Sequence, residues 1–250
     1  MITIKIVYGR GVNMKKKGIV IVLSALLALL VCLFTFNDTS NINKDSYKFK
    51  KEYESLNGKT REKDGKKIRK VHINIDNPIK YSSAKEIIEK MDNKDTFVVY
   101  FGFSDCPWCR SVVENLISVA KDKNVGTIYY VDVKNIRDEK ALSNGEIITK
   151  KDGTKSYMKL IEKLDNVLND YNLIDDDNKE VPTGEKRIYA PNIVAVVNGK
   201  PEELTNGISS KQEDPYMELS NEIQKESKKK IECIFKCLEK ANVCTAKTTC

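Results

Sequence analysis

The sequence contains a single histidine, His72, among its 250 residues. One imidazole cannot supply the histidine pairs found in many zinc sites, and a catalytic role for it is the alternative to a structural one. His72 lies on the polar side of an alternating segment, so we expect it to be exposed and structural. Only one Cys-x-x-Cys motif is present, at Cys106 and Cys109, which leaves it without the second half of a four-cysteine zinc site. We therefore expect neither a metal at this motif nor a cofactor.

Beyond residue 36 the chain lacks a large charge excess. Five of its 43 basic residues and none of its 36 acidic residues precede Asn37, which leaves 38 basic against 36 acidic residues, a balance of +2. Domains that bind nucleic acid carry a basic surface, so this balance gives no support for a nucleic-acid partner. With 40% hydrophobic and 32% charged residues, the composition is typical of one folded domain with extensions.

Residues 18–36 contain no charged side chain, and these 19 positions just suffice to cross a bilayer. All five preceding basic residues lie in residues 1–17, which the positive-inside rule keeps in the cytoplasm. The sequence thus predicts a single-pass cell-membrane protein with an N-terminal transmembrane helix and an extracytoplasmic domain. A cleaved signal peptide and a lipoprotein joined through Cys32 are the alternatives, and Met14 is an alternative start.

The stretch at residues 96–116 combines a strand, a dithiol and a helix. Residues 97–103 are rich in β-branched and aromatic side chains, which predicts a buried strand. Ser104 and Asp105 are the expected turn and helix-capping residues. The motif Cys106-Pro107-Trp108-Cys109 follows, and apolar residues then recur at helical spacing. We expect the dithiol to open the helix, with its proline at the first helical position.

Two cysteines in this arrangement can close a disulfide ring or open it. Backbone N–H groups and the helix dipole favour the thiolate of Cys106, which is the expected attacking group. Cys109, one turn deeper, is the expected resolving thiol. Arg110 and Lys186-Arg187 are candidates for lowering the pKa of Cys106, although exposed cations have small effects. Half of a zinc site and a chance pair are the alternatives to this redox interpretation.

A second diagnostic stretch, IYAPNIVAVV, covers residues 188–197. Pro191 cannot donate to a sheet, so it is predicted to open the strand that follows. The strand, the Cys-Pro-Trp-Cys motif, the helix and this proline together resemble a thioredoxin-like protein, and the Cys-Pro-aromatic-Cys form is similar to that of glutaredoxins. Behind a membrane anchor, YFGFSDCPWCR and GEKRIYAPNIVAVVNGK resemble the thioredoxin-like proteins of Gram-positive bacteria called bacteriocin transport accessory proteins.

This resemblance covers residues 70–228 and implies an α/β fold, a three-layer sandwich around a central mixed sheet. It implies a cis bond between Ala190 and Pro191 that faces the dithiol and leaves the Ala190 backbone to pair with a substrate. Pro107 and Trp108 are the other expected substrate contacts, because they lie inside the dithiol ring.

One position departs from the family. Thioredoxins place a buried acid six residues before the first cysteine, where this chain has Tyr100. Asp105 is expected to be exposed and negative, which opposes the thiolate of the neighbouring Cys106. The direction of electron flow therefore stays open.

Outside the two diagnostic stretches, the pattern predicts the domain boundaries. Residues 37–69 are polar and rich in lysine, which predicts a solvated linker. The domain at residues 70–228 is expected to begin with a strand at 70–75, followed by a helix capped by Ser82-Ser83. A further strand is predicted at 126–133.

An insertion at residues 134–186 is predicted to hold a hairpin within 145–153 and an amphipathic helix at 155–171. The expected end of the domain has a turn at Asn198-Gly199, a short edge strand at 202–205 and a helix opened by Asp214-Pro215.

The tail at residues 229–250 contains Cys233, Cys237, Cys244 and Cys250. Outside the cytoplasm, four cysteines suggest two structural disulfides, for which three pairings are possible. A zinc site with four thiolates is one alternative, although the spacings fit no common knuckle. Electron relay to Cys106 is another.

These features predict a membrane-anchored, extracytoplasmic thiol–disulfide oxidoreductase that acts through a mixed disulfide of Cys106. The expected partners are protein thiols and disulfides, an unidentified redox partner and the membrane. The alternatives are a non-catalytic docking module of a bacteriocin or peptide export system and a metal-binding thiol protein.

Overall fold

The computed structural model describes residues 43–62 and 64–246, with side chains through residue 239. The predicted cytoplasmic tail at 1–17, the predicted membrane span at 18–36 and Cys250 lie outside the described residues. Among the helices that the structure describes, none is long and apolar enough to cross a membrane.

The described residues form five helices and nine strands. The helices are α1 (Lys44–Glu54), α2 (Ala84–Asp92), α3 (Pro107–Asp122), α4 (Lys155–Leu164) and α5 (Asn221–Ala246). The strands are β1 (Ile79–Tyr81), β2 (Phe97–Gly102), β3 (Ile128–Asp132), β4 (Glu139–Ser143), β5 (Glu146–Lys151), β6 (Asn169–Ile174), β7 (Glu180–Arg187), β8 (Asn192–Val197) and β9 (Lys200–Thr205).

A five-stranded mixed sheet forms the centre of a mixed α/β fold. Its strand order is β1-β3-β2-β8-β9. The first three strands of that order are parallel, and β8 and β9 are antiparallel to their neighbours. The antiparallel register of β2 and β8 pairs Phe101 with Asn192, so the end of β2 lies beside the start of β8. Two separate hairpins, β4–β5 and β6–β7, lie outside this sheet.

Side chains alternate across the sheet and form two apolar cores. On β2, Val98 and Tyr100 belong to one core, whereas Phe97, Val99 and Phe101 belong to the other. The first core also contains side chains of α1, α3 and α5, and the second contains side chains of α2 and α4. All six residues of β2 are buried, which explains the unbroken apolar run in its sequence.

The predicted linker at 37–69 is wrong for residues 44–62 and 64–69, which belong to the folded domain. Residues 44–54 form α1, and Phe49 and Tyr53 are fully buried in the core. These two side chains, four residues apart, lie on one helix face, while most of the other positions are polar. The narrow apolar stripe explains why the pattern resembles a solvated segment.

The predicted first strand at 70–75 is also wrong, because this extended segment joins no sheet. Val71 and Ile73 point into the core as expected, but their backbone groups bind side chains. Asn57 donates from Nδ2 to the Val71 carbonyl at 2.8 Å and accepts the Val71 N–H at 2.9 Å. Glu54 accepts the Ile73 N–H at 2.7 Å. The first strand is β1, and the His72 side chain is 87% exposed, as expected.

Within the predicted insertion the boundaries differ. The first hairpin turns at Asn144-Gly145 rather than inside 145–153, because both residues adopt positive φ there. The predicted helix at 155–171 ends at Leu164, where Asp165-Asn166 and Asn169-Asp170 interrupt helix-forming residues. Tyr171 instead lies on β6, which pairs with β7.

The last helix begins at Asn221 rather than at Asp214-Pro215. Asp214 uses its carboxylate to accept the Tyr216 N–H at 2.6 Å, which closes a turn instead of starting a helix. The helix then continues through residue 246, so most of the predicted cysteine tail is helical. The strand ending at Thr205, the Asn198-Gly199 turn and the Ser83 capping box of α2 agree with the sequence.

Candidate functional site

The dithiol lies at the start of α3, directly after β2. Cys106 itself is the N-cap, with extended backbone at φ −73° and ψ 119°, so the predicted capping role of Asp105 is wrong. The Cys106 sulfur accepts the Cys109 N–H at 3.4 Å, as a capping side chain does. Pro107 is the first residue of the helix, as the sequence predicts.

The Ala190–Pro191 bond is cis and lies next to the first cysteine. The Cys106 thiol donates to the Ala190 carbonyl at a sulfur–oxygen distance of 3.3 Å. Two features bring these groups together: β2 ends at the dithiol, and its antiparallel partner β8 begins directly after Pro191. Asn192 supports this turn, because its side-chain oxygen accepts the Tyr189 N–H at 2.7 Å.

The environments of the two sulfurs drive their pKa values apart. A hydrogen bond with the Cys109 thiol is the largest cause that lowers the pKa of Cys106, and the backbone N–H groups of Cys109 and Trp108 add to it, against the opposing effect of burial. Burial is the main cause that holds the pKa of the Cys109 thiol far above its ordinary value. Cys106 is therefore the better thiolate of the pair, as expected, although both side chains are buried, at 5% and 0% exposure.

Two of the predicted cations, Lys186 and Arg187, bind acidic or carbonyl groups and are not among the main causes that shift the pKa of Cys106. Lys186 binds Asp170 at 2.9 Å, and Arg187 donates to the Asp138 backbone carbonyl at 2.9 Å. The cation whose charge lowers the pKa of Cys106 is Arg137, which lies over the Phe103 ring. Nothing in the local sequence marks Arg137, since it follows the dithiol by almost thirty residues and approaches through the fold.

Asp105 is less exposed than expected, and it is paired. Its carboxylate accepts from the Lys134 ammonium at 2.6 Å, and its side chain is 30% exposed. The nearby positive charge reduces the opposition of Asp105 to the Cys106 thiolate. Lys134 follows β3, so the parallel strands β2 and β3 bring these two loop residues to the same edge of the sheet.

Arg110, directly after the dithiol, is buried and holds parts of the fold together through hydrogen bonds. It is 1% exposed, and its guanidinium donates to four carbonyl-type oxygens of the described residues. The acceptors are the carbonyls of Arg69 at 2.7 Å, Tyr53 at 3.0 Å and Ser104 at 2.8 Å, and the Asn57 amide oxygen at 2.6 Å. Arg110 thus ties α1 and the segment after it to the loop that carries the dithiol.

Tyr100 fills the position where the resembled family has an acid. It is fully buried on β2, and burial raises its pKa far above the ordinary value. Its hydroxyl lies 3.2 Å from that of Tyr53 on α1, which the sequence gave no reason to place here. The site therefore has two neutral hydroxyl groups beneath Cys109 in place of a carboxylate.

The other predicted site residues divide into two groups. Pro107, Trp108 and Ala190 are half-buried beside the dithiol, and Pro191 is buried. Cys233 and Cys237 lie one turn apart on α5, where each sulfur donates to the carbonyl four residues before it, at 3.4 Å. The side chain of Cys244 and all of Cys250 lie outside the described residues, so the disulfides of the tail stay a prediction.

Among the side chains that the structure describes, no cluster of three or more histidine, cysteine or acidic residues suits a metal ion. Comparison of the chain with models of known protein families and with curated proteins gives no match.

Proposed function

We propose that this protein is a thioredoxin-like thiol–disulfide oxidoreductase that works through Cys106 and Cys109. The observation that carries the proposal is the contact between the Cys106 sulfur and the Ala190 carbonyl, 3.3 Å apart, ahead of a cis proline. This contact places the helix-capping Cys106 thiol, whose pKa is lowered, beside a backbone carbonyl that can bind an extended chain.

The topology supports the thioredoxin-like part of the proposal. The sheet has three parallel strands and two antiparallel ones in the order β1-β3-β2-β8-β9, with helices on both faces. The dithiol follows the central strand, and the cis proline precedes the strand next to it. This is the arrangement that the sequence resemblance implies.

The reaction follows from the two sulfurs. The Cys106 thiolate attacks one sulfur of a substrate disulfide, forms a mixed disulfide and releases the other substrate sulfur as a thiolate, which takes up a proton. Cys109 then loses its proton to solvent and attacks the Cys106 sulfur. The second substrate thiolate leaves, and a Cys106–Cys109 disulfide remains. The reverse sequence oxidises a substrate dithiol.

The Ala190 carbonyl has two partners in this scheme. In the reduced protein it accepts from the Cys106 S–H, so ionisation of Cys106 frees the carbonyl. A backbone N–H of a bound substrate then takes the place of the thiol. Half-buried Trp108, inside the dithiol motif, offers an apolar surface to the same substrate. The expected substrates are extended segments of proteins that contain a disulfide or a dithiol.

The experiment that tests this function is a redox titration of the full-length protein in glutathione buffers, followed by fluorescence of Trp108, the sole tryptophan. We expect a reversible two-electron transition that Cys106→Ser abolishes. Exposed Cys233 provides the control, since Cys233→Ser should leave the transition unchanged. Absence of the transition in the wild-type protein would overturn the proposal and leave a docking module as the better account.

The same titration reports the direction of electron flow. A midpoint between about −120 and −180 mV would resemble disulfide oxidants and isomerases, and one near −250 mV or below would favour a reductase. Cys109→Ser should trap the mixed disulfide, so that substrates can be identified by mass spectrometry.

The membrane anchor at 18–36, the extracytoplasmic location and the likeness to bacteriocin transport accessory proteins belong to the same proposal and rest on the sequence alone. Labelling of exposed lysines, Lys200 among them, in intact cells by a membrane-impermeant amine reagent tests the location. Labelling only after the cells are permeabilised would contradict an extracytoplasmic domain.

A further inference from the structure

A pair of buried tyrosine hydroxyls lies beneath the resolving cysteine. Tyr53 on α1 and Tyr100 on β2 both have 0% exposure, and their oxygens are 3.2 Å apart. The Tyr100 hydroxyl oxygen and the Cys109 sulfur face the same space beside Gly102, and the Tyr100 hydroxyl lowers the pKa of the Cys109 thiol against the larger opposing effect of burial. The three groups therefore form a short chain of buried polar side-chain atoms, in the order Tyr53, Tyr100, Cys109.

Gly102 makes room for this chain. A Cβ atom at position 102 would lie 2.6 Å from the Tyr100 hydroxyl oxygen and 3.1 Å from the Cys109 sulfur. Both atoms thus face the same small space, which exists only because residue 102 has no side chain. The Tyr100 ring cannot move aside freely, since it stacks on Tyr130 at a centroid distance of 5.5 Å.

The tyrosine hydroxyls lie where the resolving step places a negative charge, on the Cys109 sulfur. Cys109 must become a thiolate before it attacks the mixed disulfide, and burial strongly opposes that charge. Neither tyrosine can act as the base, because burial raises the pKa of both hydroxyls. A neutral hydroxyl can donate a hydrogen bond, however, and a hydrogen bond to a buried anion is stronger than one between neutral groups.

We propose that Tyr100 stabilises the Cys109 thiolate by donating its hydroxyl hydrogen to the sulfur, while Tyr53 donates to the Tyr100 oxygen and holds it in position. Tyr100 is then a catalytic residue of the resolving step, and Tyr53 is a positioning residue. This inference rests on the proposed oxidoreductase function and assigns a task within it.

Tyr130 provides a matched control in the same cluster. Its ring is fully buried and stacks on Tyr100, but its hydroxyl has no hydrogen-bond partner among the described residues. Tyr130→Phe therefore removes a buried hydroxyl without touching the polar chain. Tyr100→Phe and Tyr53→Phe make the same chemical change at the two positions that form it.

The test follows Trp108 fluorescence after the reduced full-length protein is mixed with oxidised glutathione. The first phase, whose rate rises with glutathione concentration, reports the mixed disulfide. The second phase, whose rate is independent of that concentration, reports attack by Cys109. Cys109→Ser should show the first phase alone, which assigns the two phases.

We expect Tyr100→Phe to slow the second phase about tenfold, equivalent to about 1.4 kcal/mol of activation free energy, and to leave the first phase unchanged. Tyr53→Phe should slow the second phase by a smaller factor, and Tyr130→Phe should leave both phases unchanged. Thermal unfolding of each variant shows whether it is folded, and Tyr53→Phe decides the question if Tyr100→Phe fails to fold.

An unchanged second phase in a folded Tyr100→Phe protein would overturn the inference, and so would equal slowing in Tyr100→Phe and Tyr130→Phe, which would indicate a packing effect. In both cases the wild-type protein still shows both phases, so the oxidoreductase function stands. Loss of both phases in the wild-type protein would instead overturn the function itself.

Discussion

Arg110 and Arg137 are predicted to have separate roles, one in stability and one in the chemistry of Cys106. Arg110 is almost fully buried and donates to four oxygens, whereas Arg137 is half-buried and lies over the Phe103 ring. Only Arg137 is among the main causes that lower the pKa of Cys106. We expect Arg110→Met to change mainly the stability of the protein, and Arg137→Met to change mainly the pKa of Cys106.

The magnitude for Arg110 follows from what the substitution leaves behind. Methionine keeps much of the buried apolar volume but leaves the carbonyls of Arg69, Tyr53 and Ser104 without the guanidinium donor. A buried acceptor that loses its partner costs about 1–3 kcal/mol. Relief from burying the charge offsets part of that sum, so we expect a loss of about 3–5 kcal/mol in the free energy of unfolding.

The assays are urea unfolding and the pH dependence of Cys106 alkylation by iodoacetamide, both on the reduced full-length protein. Arg110→Met should lower the unfolding midpoint strongly and leave the alkylation profile in place. Arg137→Met should cost about 1 kcal/mol or less and move the profile to higher pH. The reasoning fails if Arg110→Met shifts the profile as far as Arg137→Met does, or if it costs less than about 1 kcal/mol.

Three further predictions concern the core, the dithiol and the last helix. Phe49→Ala should lower the free energy of unfolding by about 3–5 kcal/mol, because α1 belongs to the core. Tyr47→Ala, at an exposed position of the same helix, should change the free energy of unfolding by no more than about 0.5 kcal/mol. Similar losses in the two variants would contradict the assignment of α1 to the domain. The alkylation rate of Cys106 should reach half its maximum at a lower pH than that of a free thiol, since a hydrogen bond with the Cys109 thiol lowers its folded pKa. An alkylation half-maximum at a higher pH than that of a free thiol would be the contrary result. Because the folded-state pKa is lowered, the stability that ionised Cys106 contributes is present above the unfolded-state pKa and is lost as pH falls through the folded-state pKa. Glu226 accepts from the Ser209 hydroxyl at 2.6 Å and from the Ser210 N–H at 2.8 Å, and these bonds are the largest causes that lower its pKa from 4.5 to about 2. The stability that ionised Glu226 contributes is therefore fully present above pH 4.5 and is lost as pH falls towards 2. The difference in unfolding free energy between the wild type and Glu226→Gln should shrink over that range. A difference that is constant with pH would argue against these bonds.

Local patterns were sufficient to predict much of the candidate site. The apolar run before Cys106 and the helical spacing after it predict the strand–dithiol–helix unit, which the structure contains. The Asn198-Gly199 turn and the capping residue Ser83 are likewise where the sequence places them. Each depends on residues that are neighbours in the chain, so steric preferences and short-range hydrogen bonds suffice to determine them. The cis Ala190–Pro191 bond came from the resemblance and is present.

Predictions failed where a side chain takes the place of a backbone hydrogen-bond partner. The segment at 70–75 alternates like a strand, but Asn57 and Glu54 occupy its backbone groups, so no strand pairs there. Asp214 before a proline looks like a helix start, but its carboxylate closes a turn. In both cases a side chain competes for the backbone hydrogen bonds that would form regular structure.

The sequence by itself determined where the candidate dithiol lies, because a Cys-x-x-Cys pair between a buried strand and a helix requires no distant partner to be recognised. Only the tertiary structure decided their surroundings. The pairing of β2 with β8 brings the Ala190 carbonyl to Cys106, and the packing of α1 brings Tyr53 to Tyr100. Arg137 also approaches Cys106 only through the folded chain. Burial and charge at the dithiol depend on residues up to about eighty positions away, and the free energy of the whole core, rather than any local pattern, selects those contacts.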